Sequence, residues 1–539
     1  MAQRTLTGDE AFAYGSLASG VKIVTGYPGS PSSGTLQILA DHTSEEDVYV
    51  EWSSNEKVAA EVGIGASLAG RRALICTKSV GMNVMLDPLM ALNLTGVHAG
   101  LVILLGDDPG AYGSQNEQDT RLLAPLLEMP LLEPATPAAA YAMTIAAFEV
   151  SERLRSPVIL RETRSFSQSL SHHVEVPDDF PPAPQLEMIR EPWRYVPVPR
   201  TAIGMHRELH ARLAALADWA DASPFNQIVG NETVGVIGCG MAYRKLLDVI
   251  GEPPHEDLRL FQLSHLFPLP RKTVAKFLED LTDVLVLEEN EPFVERQIKA
   301  MAHDVGAPAR IHGKESGHVP QEGELFRWQI ERALLGVSPG ITVAKHFSEA
   351  EEEAERPRHR KNCAGCRFGD VLDSLQQAAD ALGQTPLLVG DPGCLVTVGE
   401  RLDAKYAMGS AVGIADGMRR AGAKERAVAL FGDSSFFHLT LPAIVNAVHH
   451  RSDVVMVVLD NGATVTSGFQ PHAGVGRDAR GGPAPRLQMD EIARACGVQW
   501  IRRFGPDDPP ERREELFREA LLQSGLALLI VHAPCEQPR

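Results

Sequence analysis

The sequence predicts an α/β protein made of three doubly wound parallel-sheet domains, and three observations carry that expectation. Short apolar runs of strand length alternate with segments of helical period along most of the chain. Polar oxygens fall at the ends of those runs, where open parallel sheets bind their ligands. One proline-rich stretch and one charged stretch divide the chain into three, and 539 residues suit about three domains. The net charge of -19 argues against a nucleic-acid partner, because phosphate binding needs clustered lysine and arginine. The start, MAQRTLTGDEAFAYG, lacks the apolar core of a signal peptide, and no apolar run reaches spanning length. A cytoplasmic protein without a membrane partner is therefore expected. Seven cysteines, an odd number, do not suggest a disulfide framework.

Residues 1–170 carry the strand-like runs KIVTGYP, VYVEW, RALICTK, GLVILLGD and PVILRE, separated by helical periods. After the first strand, residues 26–33 (GYPGSPSS) form either a ligand loop or a plain strand-to-helix connection in which Ser32 or Ser33 caps the helix. As a ligand loop it offers Tyr27, Pro28 and Ser30. The next helix opens at NEKVAAEV with Glu56 in its first turn. An acid there is stabilised by the helix dipole whatever else it does, and Glu61 stands a little over a turn further on. Residues 77–89 and 106–121 are loops at later strand ends; Arg121 either meets a substrate carboxylate or is simply solvated.

Residues 171–225 turn proline-rich and then helical, through MHRELHARLAALADWA, and read as a strap. Residues 226–345 suggest a smaller α/β domain. Its turn at Gly238, Cys239 and Gly240 is not a dinucleotide fingerprint, because Tyr243 stands where the third glycine belongs. Residues 346–361 form a mixed-charge linker.

Residues 362–539 hold the motif that organises the rest. The strand RAVALF delivers Asp433, a helical run covers residues 438–450, and the strand at 454–459 delivers Asp460 and Asn461. A carboxylate and a carboxamide at two parallel strand ends suit a hard divalent cation carrying a diphosphate. The plainer alternative is a strand-helix-strand unit with a turn Asp and a turn Asn. The same region has Cys363 and Cys366 in a CxxC, Cys394 in GDPGC and Cys535 in HAPC. A CxxC alone fits zinc, a thiol switch or no function, while the four thiols together also suit a 4Fe-4S cluster. Cys76, Cys239 and Cys496 lie in apolar surroundings and are expected in the core.

The GD and DN pairs, with 26 residues between them, resemble the thiamine-diphosphate motif of the transketolase and pyruvate-oxidoreductase superfamily. GYPGSPSS, NEKVAAEV, VGMNVMLDPLM, DDPG, SQNEQDTR and DNGATVTSGFQPH, in this order, narrow the resemblance to indolepyruvate:ferredoxin oxidoreductase alpha subunits, over nearly the whole chain. It implies that residues 1–170 bind the cofactor's pyrimidine, that residues 226–345 are transketolase C-terminal-like, and that residues 362–539 bind its diphosphate. It further implies Mg2+ held by Asp433, Asn461 and the Ala463 carbonyl, with Gly432, Ser434 and Thr464 beside the cofactor. Glu56 would be the carboxylate on the pyrimidine ring, and Cys363, Cys366, Cys394 and Cys535 would hold a 4Fe-4S cluster. Ser434 replaces the glycine that usually follows GD, and Phe469 stands where the family usually has histidine. Gln470 and His472 are either substrate-side groups or ordinary loop polarity.

The implied activity is oxidative decarboxylation of a 2-oxo acid, an aryl-pyruvate such as indolepyruvate, to an acyl-CoA. Electrons would pass through the cluster to ferredoxin or a similar acceptor. No di-cluster ferredoxin segment of the kind that longer members append is seen, so onward transfer is expected to use another polypeptide or a soluble acceptor. A dimer, or a hetero-oligomer with a smaller beta subunit, is expected. The rival activities are non-oxidative decarboxylation, with the cysteines as zinc or structural ligands, and a non-catalytic scaffold.

Overall fold

Most strands of the chain are apolar on both faces, as parallel strands covered by helices must be. Leu101–Asp107 and Val454–Asp460 are buried at every position. The computed structural model describes residues 2–188, 190–356, 363 and 366–536. The chain divides into two compact units, one formed by Met1–Glu51 and Glu56–His359, the other by Trp52–Asn55 and Arg360–Arg539.

The first unit contains a seven-stranded sheet. Its strands run, from one edge, His265–Phe267, Leu131–Leu132, Val158–Thr163, Leu101–Asp107, Ala73–Lys78, Ile23–Gly26 and Tyr49–Trp52. The pairings from Leu131–Leu132 through Ile23–Gly26 are parallel, and His265–Phe267 adds antiparallel at the edge. A five-stranded sheet follows in the order Arg310–His312, Asp283–Leu287, Val234–Gly238, Arg259–Gln262, Gln227–Val229, parallel except at its last strand. The two sheets share one core. A single cluster of buried side chains runs from Ala59, Ile75 and Leu105 to Phe261, Phe277 and Met301. A two-stranded antiparallel ribbon pairs Ala2–Thr7 with Leu170–Val176, so the expected boundary after residue 170 falls inside a strand. The strap ends in the long helix Pro199–Asp221, which buries Met205, Leu209, Leu216 and Ala220. Of the charged linker, Glu349–Glu355 is helical behind a Ser348–Glu351 capping box, and residues 357–361 lie outside the described residues.

The second unit is one parallel six-stranded sheet, ordered Ala404–Lys405, Leu387–Gly390, Ala427–Gly432, Val454–Asp460, Ala527–His532, Trp500–Phe504. Separate apolar clusters lie on its two faces, one around Leu372, Leu430 and Phe517, the other around Val412, Phe431 and Ile444. That is the doubly wound arrangement the sequence predicts. Among the described residues no helix is long and apolar enough to cross a membrane.

Candidate active site

In the second unit Ala427–Gly432 and Val454–Asp460 pair in register, with Gly432 opposite Leu459, so both strands end at the same edge. Asp433 begins a helical turn directly after the first strand and is 1% exposed. The helix then passes through a π-helical stretch, Phe436–Thr440, before Leu441–His449, an irregularity that recurs at functional sites. The predicted helix at residues 438–450 thus begins earlier, at Asp433.

The Asp433 carboxylate accepts the amide of Gly462 at 2.8 Å, and Asn461 Oδ1 accepts the amide of Ala463 at 3.3 Å. Asp433, Asn461 and Ala463 are thereby gathered at one turn. Gly462 takes φ +75°, a left-handed conformation that glycine adopts without steric cost. His472 Nε2 lies 3.1 Å from Asp433 Oδ2, and its ring is tilted against Phe437 with centroids 5.6 Å apart. Gln470 is held by its own loop, its side-chain amide donating to the Ser467 carbonyl at 2.8 Å. Phe469 sits at φ +63°, a conformation that costs a residue with a Cβ about 1–2 kcal/mol.

The sequence reading did not assign roles to three buried groups at this edge. Asp391, directly after Leu387–Gly390, is fully buried and accepts the amides of Gly409 and Ala411 and the Ser435 hydroxyl. Asp460 is 5% exposed; burial, and then the charge of Asp433, push its carboxyl up, and His532 Nδ1 lies 3.0 Å away. His438 is buried within the π-helical stretch. The rule that ligand groups gather at parallel strand ends points to Asp391 as directly as to Asp433.

The residues fit a magnesium diphosphate. Two buried carboxylates, Asp433 and Asp460, act on each other as like charges, which a divalent cation relieves. A Cβ added at Gly432 or Gly462 would meet no atom within 4 Å, so there is room beside the oxygens. The buried Thr464 hydroxyl has no hydrogen-bond partner among the described residues. Ser434, half-buried, offers its amide to Asp433.

The other three cysteines of the set lie within electrostatic reach of Cys394. Burial pushes the Cys394 thiol up to about 12, and the neighbouring Cys366, Cys535, Asp433 and Cys363 push in the same direction. Thiols close enough to oppose one another's ionisation suit a shared metal charge. The Cys366 amide donates to the Cys363 carbonyl at 3.3 Å. Asn461 Nδ2 donates to Cys394 Sγ at 3.5 Å, joining the oxygen seat to the thiols. Cys76 and Cys239 lie in the core, where burial pushes both thiols well up, and Cys496 packs half-buried against one apolar face of the six-stranded sheet.

In the first unit Glu56 is the first residue of the helix Glu56–Leu68 and is 6% exposed. Its carboxylate is accommodated by Gly81, where an added Cβ would stand 2.5 Å from Glu56 Oε1 and 2.6 Å from Thr77 Oγ1. Glu61 is surface-lying and ion-paired to Lys57. The 26–33 loop turns between Ile23–Gly26 and Ser33–His42, with Tyr27 and Pro28 buried and Ser30 exposed at its tip. Ser32 makes no capping bond; the Ser33 hydroxyl instead accepts the Gly29 amide at 2.7 Å. Lys78, the last residue of Ala73–Lys78, lies against Gly29, and burial pulls its ammonium down.

Arg121 departs from expectation. It is fully buried, and its guanidinium donates to Asp119, to Glu288 at 2.8 Å and to the carbonyls of Glu289 and Glu291. A substrate-facing role gives way to a structural one, because its donors are taken within the fold.

Comparison with known proteins agrees with this arrangement. The model of the thiamine-diphosphate-binding region of pyruvate flavodoxin/ferredoxin oxidoreductases matches residues 14–206, and that of the C-terminal thiamine-pyrophosphate-binding domain of thiamine pyrophosphate enzymes matches residues 402–531. The chain is a thiamine-diphosphate-binding subunit of the 2-oxoacid oxidoreductase class. It is 36% identical to indolepyruvate oxidoreductase subunit IorA of Methanothermobacter marburgensis, over 98% of this chain and 86% of that one. The same subunit of Pyrococcus abyssi is 34% identical, over 98% and 85%. The chain belongs to the indolepyruvate oxidoreductase subunit IorA family. Among solved structures it is similar to a 2-oxoglutarate:ferredoxin oxidoreductase from Magnetococcus marinus, with TM-score 0.48 and 14% identity over 62% of this chain and 65% of that one.

Proposed function

We propose that this chain is the catalytic subunit of an oxidoreductase that converts an aryl-pyruvate such as indolepyruvate to an acyl-CoA and carbon dioxide, passing electrons to ferredoxin or a similar acceptor. The observation that carries the oxidative reading is the contact of Asn461 with Cys394. It supports this reading because Asn461, of the proposed diphosphate seat, donates to Cys394, one of the four cysteines, and such proximity favours electron transfer. The aryl-pyruvate is taken from the relatives, which are named for indolepyruvate.

Thiamine diphosphate, when bound, supplies the nucleophilic carbon and the electron sink that decarboxylation of a 2-oxo acid needs. The chain's own residues hold and orient it. Asp433, Asn461 and the Ala463 carbonyl would seat Mg2+, with Gly432, Ser434 and Thr464 around the diphosphate. His472, whose Nε2 lies 3.1 Å from the Asp433 carboxylate, would border the seat on the substrate side. Glu56 would share a proton with the pyrimidine ring, and its burial keeps that exchange away from water. Tyr27 and Pro28 would border the cofactor, while Ser30 and Gln470 would face substrate. Cys363, Cys366, Cys394 and Cys535 would ligate the 4Fe-4S cluster. A cytoplasmic hetero-oligomer with a smaller beta subunit completes the proposal.

Anaerobic purification followed by metal and thiamine analysis, with dye reduction assayed on indolepyruvate and phenylpyruvate, tests it. The expected protein is brown, carries iron and thiamine diphosphate, and reduces the dye when an aryl-pyruvate and coenzyme A are both present. A colourless, zinc-containing protein that releases carbon dioxide without reducing dye would establish the non-oxidative reaction instead.

A further inference from the structure

The strap helix Pro199–Asp221 carries His206 and His210 four residues apart, which puts both imidazoles on one helical face with ring centroids 4.3 Å apart. Both face a single carboxylate on a different element. His206 Nε2 lies 3.0 Å from Glu128 Oε2, and His210 Nε2 lies 3.2 Å from Glu128 Oε1. All three ligating atoms fall within 4.8 Å of one another, and among the described residues this is the group of histidine, cysteine and acidic side chains that converges so closely.

Glu128 is not there by chance of a floppy side chain. It ends the short helix Leu123–Leu127 in a left-handed conformation, φ 52° and ψ 39°, with its amide bonded back to that helix. That backbone costs a residue with a Cβ on the order of 1 kcal/mol, and it fixes where the carboxylate starts from. The histidines are fixed in turn by their helix, whose neighbouring Met205 and Leu209 are buried.

We propose that Glu128, His206 and His210 form a binding site for a zinc-class divalent cation, separate from the thiamine and cysteine chemistry. Two imidazole nitrogens and a carboxylate oxygen are a ligand set that zinc takes, and imidazole disfavours magnesium and calcium. The spacing also suits it. Bonds of 2.0–2.1 Å in a tetrahedron set neighbouring ligand atoms about 3.3 Å apart; each imidazole already meets its own oxygen of Glu128, at 3.0 and 3.2 Å, and the three ligating atoms lie within 4.8 Å, so rotation of exposed side chains closes the set. His206 is 46% and His210 60% exposed at the side chain, so an ion enters without unfolding and a water takes the remaining position. The bound cation clips the strap helix to the end of Leu123–Leu127, adding a link to the carbonyl bond that Arg212 makes with Leu94.

The test is zinc itself, added to the anaerobic holoenzyme after chelator treatment and desalting. Zinc per chain is read by mass spectrometry after equilibrium dialysis, and the unfolding temperature is read with and without zinc, for the wild-type chain, H206A/H210A and E128Q. The expected result is about one zinc more per wild-type chain than per chain of either variant, and a zinc-dependent rise in unfolding temperature in the wild type alone. Iron content should be equal in all three, which excludes zinc taken up by vacated cysteines. Equal zinc uptake in the wild type and in a folded variant, or no uptake by any of them, overturns the proposal. E128Q keeps both histidines and the side-chain shape, so the comparison stands if the double variant does not fold.

Discussion

Two parallel sheets of this chain present buried charge at their strand ends, and they do it in opposite ways. Where the seven-stranded sheet meets the five-stranded one, a network of buried groups alternates in sign. Asp107 accepts from Arg161 at 2.8 Å, Arg161 donates to Glu133 at 2.7 Å, and Arg121 joins Asp119 to Glu288. At the carboxyl ends of the six-stranded sheet's strands the buried carboxylates stand, among the described residues, without arginine or lysine: Asp391, Asp433 and Asp460, with the half-buried thiol of Cys394 nearby. Their basic partners, among the described residues, are the imidazoles of His472 and His532. A charge network closed on itself holds a fold together. One left with excess negative charge is completed by something brought from outside. Burial alone therefore does not mark a functional ion; the sign of its surroundings does.

The contrast is broken most severely by removing an acid on the unbalanced side. Asp433→Ala should lower affinity for magnesium thiamine diphosphate by more than about 100-fold, since loss of even an outer partner of a metal ligand costs 10- to 100-fold. Calorimetric titration with the cofactor reads this, and an unchanged circular dichroism spectrum shows that the fold survives. Cys394→Ser should abolish iron retention and substrate-dependent dye reduction while cofactor binding stays within a few-fold, which separates the two halves of the site. On the balanced side the expected loss is of stability. Arg121→Met leaves Asp119 and Glu288 buried without their cation, and denaturant unfolding should show a fall of about 3–5 kcal/mol. If Arg121→Met instead weakened the Michaelis constant for the oxo acid with stability intact, the division drawn between the sheets would be wrong.

The effect at Asp9, outside both networks, shows only as pH is varied. Burial pushes its carboxyl from 3.8 up to about 7, with Glu10 adding to the rise and the Thr35 hydroxyl opposing it. The folded chain therefore keeps a proton that the unfolded chain has released between about pH 4 and 7. Stability is higher below that window and falls as pH rises through it, by at most about 1.4 kcal/mol per pH unit. Asp9→Asn removes the titrating proton and should flatten the fall, measured as unfolding free energy against pH. Glu162, buried nearby with its carboxyl pushed well up by burial and by Asp9, retains its own share of the slope.

What could be read from the sequence was set by locality. The strands ending at Gly432 and Asp460 were placed within a residue or so, because each is a continuous apolar run closed by a polar group. Glu56 at its helix start, and the core cysteines Cys76 and Cys239, were legible for the same reason. Distant pairings were not. Leu170–Val176 buries only Val174 and Val176 among exposed polar residues, so its pattern gives little sign of a strand, and its partner lies at the other end of the domain. His265–Phe267 joins a sheet whose other members all precede it by far, and the middle segment shares its core with the first sheet. Arg121 reads like any loop arginine until Glu288 closes over it. The π-helical stretch at Phe436–Thr440 has no signature in FFHLT that a regular helix would lack.

The ribbon between Ala2–Thr7 and Leu170–Val176 has a bearing on how the chain is made. Its first strand leaves the ribosome roughly 170 residues ahead of its partner, which at 5–20 residues per second is a wait of about 10 to 35 s. Through that interval the intervening helices and strands can already be collapsing, and the ribbon closes over them late. A bulky fusion placed just ahead of Ala2 should therefore impair maturation more than one attached elsewhere on the surface.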